Sequence, residues 1–193
     1  MSIRRLILAA GIALAALMTG CAHPVSVTAS DFNKIKASSD TKIQKSVGFY
    51  IAADDFNREV TTAGGGGDKV SYKPYKDLEP GIYKALSEVF TTVSKLDSPK
   101  AGDNINLVII PKITTTSYSE SLLTWPPTLF TVELTCKVTD KAGADITEIK
   151  AQGTGRAEFS EFKSDVSLSA KRAAQEAMVN LVKALEASPK LKS

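Results

Sequence analysis

The most regular stretch of the chain is 128–140. Phe130, Val132, Leu134, Cys136 and Val138 fall on one side of a period of two, and Thr131, Glu133, Thr135, Lys137 and Thr139 on the other. That alternation predicts a strand with one face in a core and the other in water, and it places Cys136 in the core. Ile43, Lys45, Val47, Phe49 and Ile51 repeat the period with one polar member, which predicts a strand over Lys42–Ala52. Leu107-Val108-Ile109-Ile110 is a continuous apolar run inside a strand over Asn104–Thr116. Such a run suits a strand covered on both faces, hence central in its sheet. Pro111 cannot donate to a neighbouring strand, so it marks a bulge or a change of pairing. A weaker strand follows the Asp140–Gly143 turn, over Ala144–Phe159, with Gly153 and Gly155 read as a bulge. Glu59–Thr62 and Lys69–Tyr72 make a short hairpin around Gly64–Gly67.

Two segments carry the helical period instead. Ile82, Leu86, Val89, Phe90 and Val93 form one apolar stripe in a helix over Asp77–Leu96, with Asp77 as N-cap and Pro80 in the first turn. Ala170, Ala174, Ala177, Met178, Leu181 and Leu185 form another, flanked by Val182, in a helix over Ser167–Ala187 that Ser188-Pro189 stops. One-sided helices and one-sided strands in this order predict an α+β fold: a mostly antiparallel sheet with two helices packed on one face.

The start of the chain obeys neither period. Arg4-Arg5 precede an uncharged run from Leu6 to Met18, which closes on Thr19-Gly20-Cys21. As a helix the run spans roughly 20 Å, short of the roughly 30 Å of a hydrocarbon core, so it reads as the apolar part of an export signal. Leu17-Met18-Thr19-Gly20-Cys21 resembles the lipobox of bacterial lipoproteins. The resemblance implies cleavage between Gly20 and Cys21, lipidation of Cys21 with palmitate-type chains, and anchoring in a membrane. Two or more acyl chains give stable anchoring. Ala22 stands where an Asp would imply retention at the inner membrane, so the resemblance implies the outer membrane, facing the periplasm.

The domain plan that follows is a signal peptide over 1–20, lipidated Cys21 with a flexible tether to 41, one α+β periplasmic domain over 42–188, and a frayed tail over 189–193. Ser30–Ile35 has the makings of a single helical turn within the tether.

Charge and composition narrow the function further. The formal net charge of +3 falls to about +1 once Arg4 and Arg5 leave, which gives no basis for nucleic-acid binding. With Cys21 lipidated, Cys136 has no intramolecular partner. His23 is the only histidine and has no ligand or catalytic partner at useful spacing. Gly64–Gly67 lacks the Gly-Lys-Ser/Thr of a phosphate loop, and Gly153-Thr154-Gly155 lies inside a strand, not before a helix. Glu158, Glu161 and Asp165 read as a solvated edge. No cofactor, metal site or catalytic set emerges, which predicts a protein that is not an enzyme.

Two stretches point to binding. Leu168-Ser169-Ala170-Lys171-Arg172-Ala173 resembles the Leu-Ser-x-x-Arg-Ala stretch of OmpA-like peptidoglycan-binding domains, which implies a peptide-stem contact through Arg172. The Gly-His-Thr-Asp stretch that normally precedes it is missing. Ser117–Leu129 holds Tyr118, Leu122, Leu123 and Trp125, residue types that anchor interfaces, and reads either as a connection folded over the core or as a surface for a protein partner or a second copy. In lipobox and element order the chain resembles YajG-type lipoproteins and, more distantly, assembly lipoproteins with a CsgG-like fold. That resemblance implies a non-enzymatic interaction or assembly module of the cell envelope.

Overall fold

The computed structural model describes residues 22–63, 69–100, 102–119 and 129–193. The elements are β1 (Ala22–Pro24), a 3-10 turn (Ala29–Phe32), β2 (Ile43–Tyr50), α1 (Ala53–Asn57), β3 (Val60–Ala63), β4 (Lys69–Tyr72), α2 (Pro74–Val89), β5 (Phe90–Leu96), β6 (Leu107–Tyr118), β7 (Leu129–Asp140), β8 (Asp145–Arg156), α3 (Phe159–Ser164), α4 (Leu168–Ala187) and a closing 3-10 turn (Pro189–Leu191). They form an α+β fold with a five-stranded sheet in the order β5-β2-β6-β7-β8 and a three-stranded sheet in the order β1-β4-β3. Antiparallel pairing dominates by length, through β6-β7-β8, while β2 pairs in parallel with both β5 and β6.

The alternating strand is as its pattern requires. Phe130, Val132, Leu134, Cys136 and Val138 are all buried in β7, against the stripe of α4. β6 is the central strand, and Pro111 sits where its pairing changes. β7 follows β6 without interruption from Leu107 to Tyr118, but β2 leaves it after Ile109. Pro111 therefore turns its missing donor to the side that has no strand. Farther along that side the Ile113 amide donates to Tyr75 Oη at 3.1 Å, and Thr115 Oγ1 donates to Tyr72 Oη at 3.0 Å. Thr62 and Ser117 hydroxyls then bond β3 to β6. The small sheet and α2 thus cover the half of β6 that β2 abandons.

The first long helix differs from the pattern at both ends. It begins at Pro74, three residues before Asp77, because Pro is well placed in a first turn. Asp77 accepts a bond from the Lys73 amide at 3.0 Å, so it closes the first turn without being the cap, and Pro80 falls inside the helix. The helix stops at Val89, and Phe90–Leu96 is an edge strand parallel to β2. Phe90-Thr91-Thr92-Val93 is β-branched and aromatic, so strand preference overrides a stripe that continues by coincidence of spacing.

Gly153 and Gly155 are no bulge. β8 stays in register with β7 through both, and the irregularity lies near Val138–Thr139. Their reason is α4. A Cβ on Gly153 would lie 2.2 Å from the Ala173 carbonyl oxygen, and one on Gly155 would lie 1.9 Å from that of Ser169. The helix backbone rests on the strand backbone with only small residues between them.

The expected tether is part of the domain. β1 pairs in parallel with β4, and Val25, Val27, Phe32 and Ile35 are buried in the main core. Phe32 fills the space left by Gly81, where a Cβ would meet its ring at 2.6 Å. Backbone amides of this segment are held at several points by the rest of the domain. Ser26 N donates to Ser167 Oγ at 3.0 Å, Ala37 N to Glu88, and the Ser38 and Ser39 amides to Glu186. Burial of four apolar side chains outweighs the polar composition that suggested a linker. The tail is likewise tucked in, with Leu191 fully buried.

These contacts predict that Phe32→Ala costs roughly 3–5 kcal/mol of unfolding free energy, as for a buried aromatic in a core. Urea melts of residues 22–193 check it. A loss below about 0.5 kcal/mol, the level of an exposed substitution, would return the segment to a tether.

Candidate interaction site

The outer edge of β8 and the polar side of α4 meet along a row of hydrogen bonds. Arg172, Glu176 and Asn180 lie one helical turn apart, so they share one face of α4. Arg172 Nη1 donates to the Arg156 carbonyl at 2.6 Å, Glu176 accepts from the Thr154 amide at 2.7 Å, and Asn180 Nδ2 donates to the Gln152 carbonyl at 2.8 Å. Every second residue from Gln152 to Arg156 is thus met by a helix side chain. Exposed strand edges invite pairing with other chains, and covering the edge with helix side chains prevents it.

Arg172 does more than close the edge. Its guanidinium forms a two-pronged pair with Glu161 of α3, Nη1 to Oε2 at 2.9 Å and Nη2 to Oε1 at 2.8 Å. Glu161 also accepts from the Glu158 amide at 3.0 Å. The Arg172 bonds, then that amide, hold the Glu161 carboxyl at about 2, well below its ordinary 4.5. A stem carboxylate at this guanidinium would have to displace Glu161 and compete with the Arg156 carbonyl. The Leu-Ser-x-x-Arg-Ala resemblance therefore falls on an arginine that ties α3 and the end of β8 to α4. Glu158 and Asp165 have separate partners: Glu158 pairs with Arg156 at 3.2 Å, and Asp165 with Lys171 at 2.8 Å.

The opposite edge of the sheet has another character. No hydrogen bond from another described element reaches the outer side of β5. The strand is Phe-Thr-Thr-Val-Ser-Lys-Leu, with Thr91, Thr92 and Lys95 exposed. Lys95, its one charge, is held back by Glu79 at 2.6 Å and lies over the Phe56 ring, 4.5 Å from the centroid. A cleft of about 410 Å³ lies beside it, lined by Phe49, Glu79, Tyr83 and Lys95 among others, and Tyr83 is half exposed.

Tyr118 is half exposed at the end of β6. Leu122, Leu123 and Trp125, the rest of the expected partner surface, lie outside the described residues, as do Gly20 and Cys21. Cys136 is a free, fully buried thiol that burial pushes up to about 12, which makes it inert. Among the described residues no group of three His, Cys, Asp or Glu is placed to hold a metal, and no helix is long and apolar enough to cross a membrane. The sequence had no means of revealing β5 as an edge, because its apolar positions prolong the stripe of α2. The row on α4 was legible in principle, as polar residues at i, i+4 and i+8.

No family model matches the chain, and no curated protein matches it in sequence. Among solved structures the chain is similar in fold to protein XCC0632 from Xanthomonas campestris, described under the family model DUF330, with a TM-score of 0.55 at 12% identity over 84% of this chain and 92% of the other. A minor lipoprotein from Acinetobacter baumannii aligns over 75% of this chain and 94% of its own, with a TM-score of 0.45 at 14% identity. The likeness to the Xanthomonas protein establishes the fold and not the function.

The Glu161–Arg172 pair has a defined pH signature. A carboxyl whose pKa is lowered by folding contributes stability above its unfolded value, and that contribution is lost as pH falls towards the folded one. The pair should therefore weaken between pH 4.5 and about 2. Carboxyl NMR titration should place Glu161 near 2, and Arg172→Ala should return it towards 4.5. An unmoved midpoint in that variant would remove Arg172 as the cause.

Proposed function

We propose that the chain is a lipid-anchored component of the bacterial cell envelope, seated in the outer membrane and facing the periplasm, that binds a protein partner and is not an enzyme. The anchor reading rests on Leu17-Met18-Thr19-Gly20-Cys21 after a short apolar run. The binding reading rests on one observation, the contrast between the two edges of the main sheet. The end of the β8 edge, from Gln152 to Arg156, is closed by three side chains of α4, while the β5 edge is left unpaired along its length, β-prone and with its only charge drawn aside. An unpaired edge accepts an extended segment of another chain, with main-chain hydrogen bonds supplying affinity. The partner is accordingly an extended stretch of a second envelope protein.

Metabolic labelling with palmitate should mark the protein and should vanish in Cys21→Ser. Label retained in that variant refutes the anchor. Binding is tested separately, with a photoreactive benzoylphenylalanine replacing Thr92 on β5 or Gln152 on β8 in living cells. Thr92 should yield one discrete adduct, lost when Val93→Lys disturbs the edge, and Gln152 should yield none. Equal adducts at the two sites, or none at Thr92, would overturn the β5 reading. An adduct with the mass of two copies would replace the second protein by self-association.

A further inference from the structure

The lack of a tether has a geometric result for the anchored protein. Cys21 is joined directly to Ala22, and Ala22 is already paired with Lys69 in the small sheet. Val25 N continues the pairing by donating to the Ser71 carbonyl at 2.9 Å, and Val25 and Val27 are buried beyond it. Consecutive Cα atoms are about 3.8 Å apart, so a lipid on Cys21 has almost no slack before the folded domain begins.

The strand registers state which end of the domain this is. Lys69 pairs with Ala22 on one side and with Ala63 on the other. Thr62 bonds to Ser117, and the next residue, Tyr118, pairs with Leu129, which pairs with Arg156. Ala22, Lys69, Ala63, Tyr118, Leu129 and Arg156 thus share one pole. Neighbouring strands are about 4.8 Å apart, which puts Tyr118 within roughly 20 Å of the lipidation point. Two half-exposed aromatic residues belong to this pole. Tyr118 ends β6, and Phe159 follows Arg156 by three residues, with Lys163 5.2 Å over its ring. Aromatic rings with a polar or cationic companion suit the level of lipid headgroups.

We infer that this pole of the domain, marked by Tyr118, rests on the bilayer surface, with the lipid headgroups as its ligand. The inference rests on the lipidation of Cys21 proposed above. It fixes the bearing of the whole sheet. β6 rises from Tyr118 to Leu107 away from the membrane, and β5 lies beside β2 at the level of Ile110 and beyond. Eight residues of strand separate the levels of Tyr118 and Ile110, so the open edge stands roughly 25 Å above the headgroups. Two copies in one membrane that paired these edges antiparallel would carry their anchors at opposite ends. The fixed bearing therefore favours a segment of another protein at β5.

The test uses the full lipidated chain in vesicles of phosphatidylethanolamine and phosphatidylglycerol, with an environment-sensitive NBD label on Tyr118→Cys or, at the far pole, on Lys141→Cys. Buried Cys136 does not compete for the label. Intact mass first establishes acylation, and an unacylated chain ends the anchor reading and the inference together. In the acylated protein, emission at position 118 should shift to the blue and be quenched at least threefold by headgroup-level nitroxide lipids, while position 141 stays in water. Water-like emission at 118, or equal quenching at both positions, overturns the orientation and leaves the anchor intact.

Discussion

The close approach of α4 to β8 governs the rest of the architecture. Gly153 and Gly155 leave no side chain between strand and helix, and the small residues Ser169, Ala173 and Ala177 face them. Contact at backbone distance fixes the height and the rotation of the helix over the sheet. That rotation carries Met178, Leu181 and Leu185 into the core, and it swings Arg172, Glu176 and Asn180 over the rim of β8. A helix lifted by even one methyl layer would lose both the packing and the polar row, since interiors tolerate extra volume poorly. The same placement sets Ser167 where it receives the Ser26 amide and Glu186 where it receives those of Ser38 and Ser39. One helix thus organises the core, the rim of the sheet and the start of the chain.

The segment from Val25 to Ser39 acts as a strap across the two long helices. Phe32 enters the gap at Gly81 beside Met178, and Glu88 and Glu186 receive the backbone that follows. Hydrophobic insertion and amide capture at successive points tie this segment to both helices. The position before Ala22 is therefore a covalent neighbour of the folded domain, with no leash between them.

Much of the fold was written in the periodicity. β7 was legible because one face of a sheet repeats every second residue without exception, and the stripe of α4 because its apolar set is broad and Ser188-Pro189 stops it. The centrality of β6 followed from an apolar run, and the oddness of Pro111 from its missing donor. What failed did so for identifiable reasons. Phe90 and Val93 extend a helical stripe that local strand preference ends, and periodicity alone cannot choose between them. Glycines 153 and 155 signal close approach and bulge alike, and only the position of α4 separates the two. Val25, Phe32 and Ile35 are too sparse among polar neighbours to announce a buried segment. Arg172 resembled a ligand-binding residue because the same helix-start motif serves an internal carboxylate here.

The polar row on α4 also decides how far an assembly built on this sheet can go. A sheet with two open rims can add strands on both sides, and each addition creates a fresh rim, which is the route to fibres and aggregates. Here three side chains of α4 cover the β8 rim from Gln152 to Arg156, which leaves less of that rim open to a further strand. Three side chains on the far side of the molecule thus limit growth of the sheet at the end of β8.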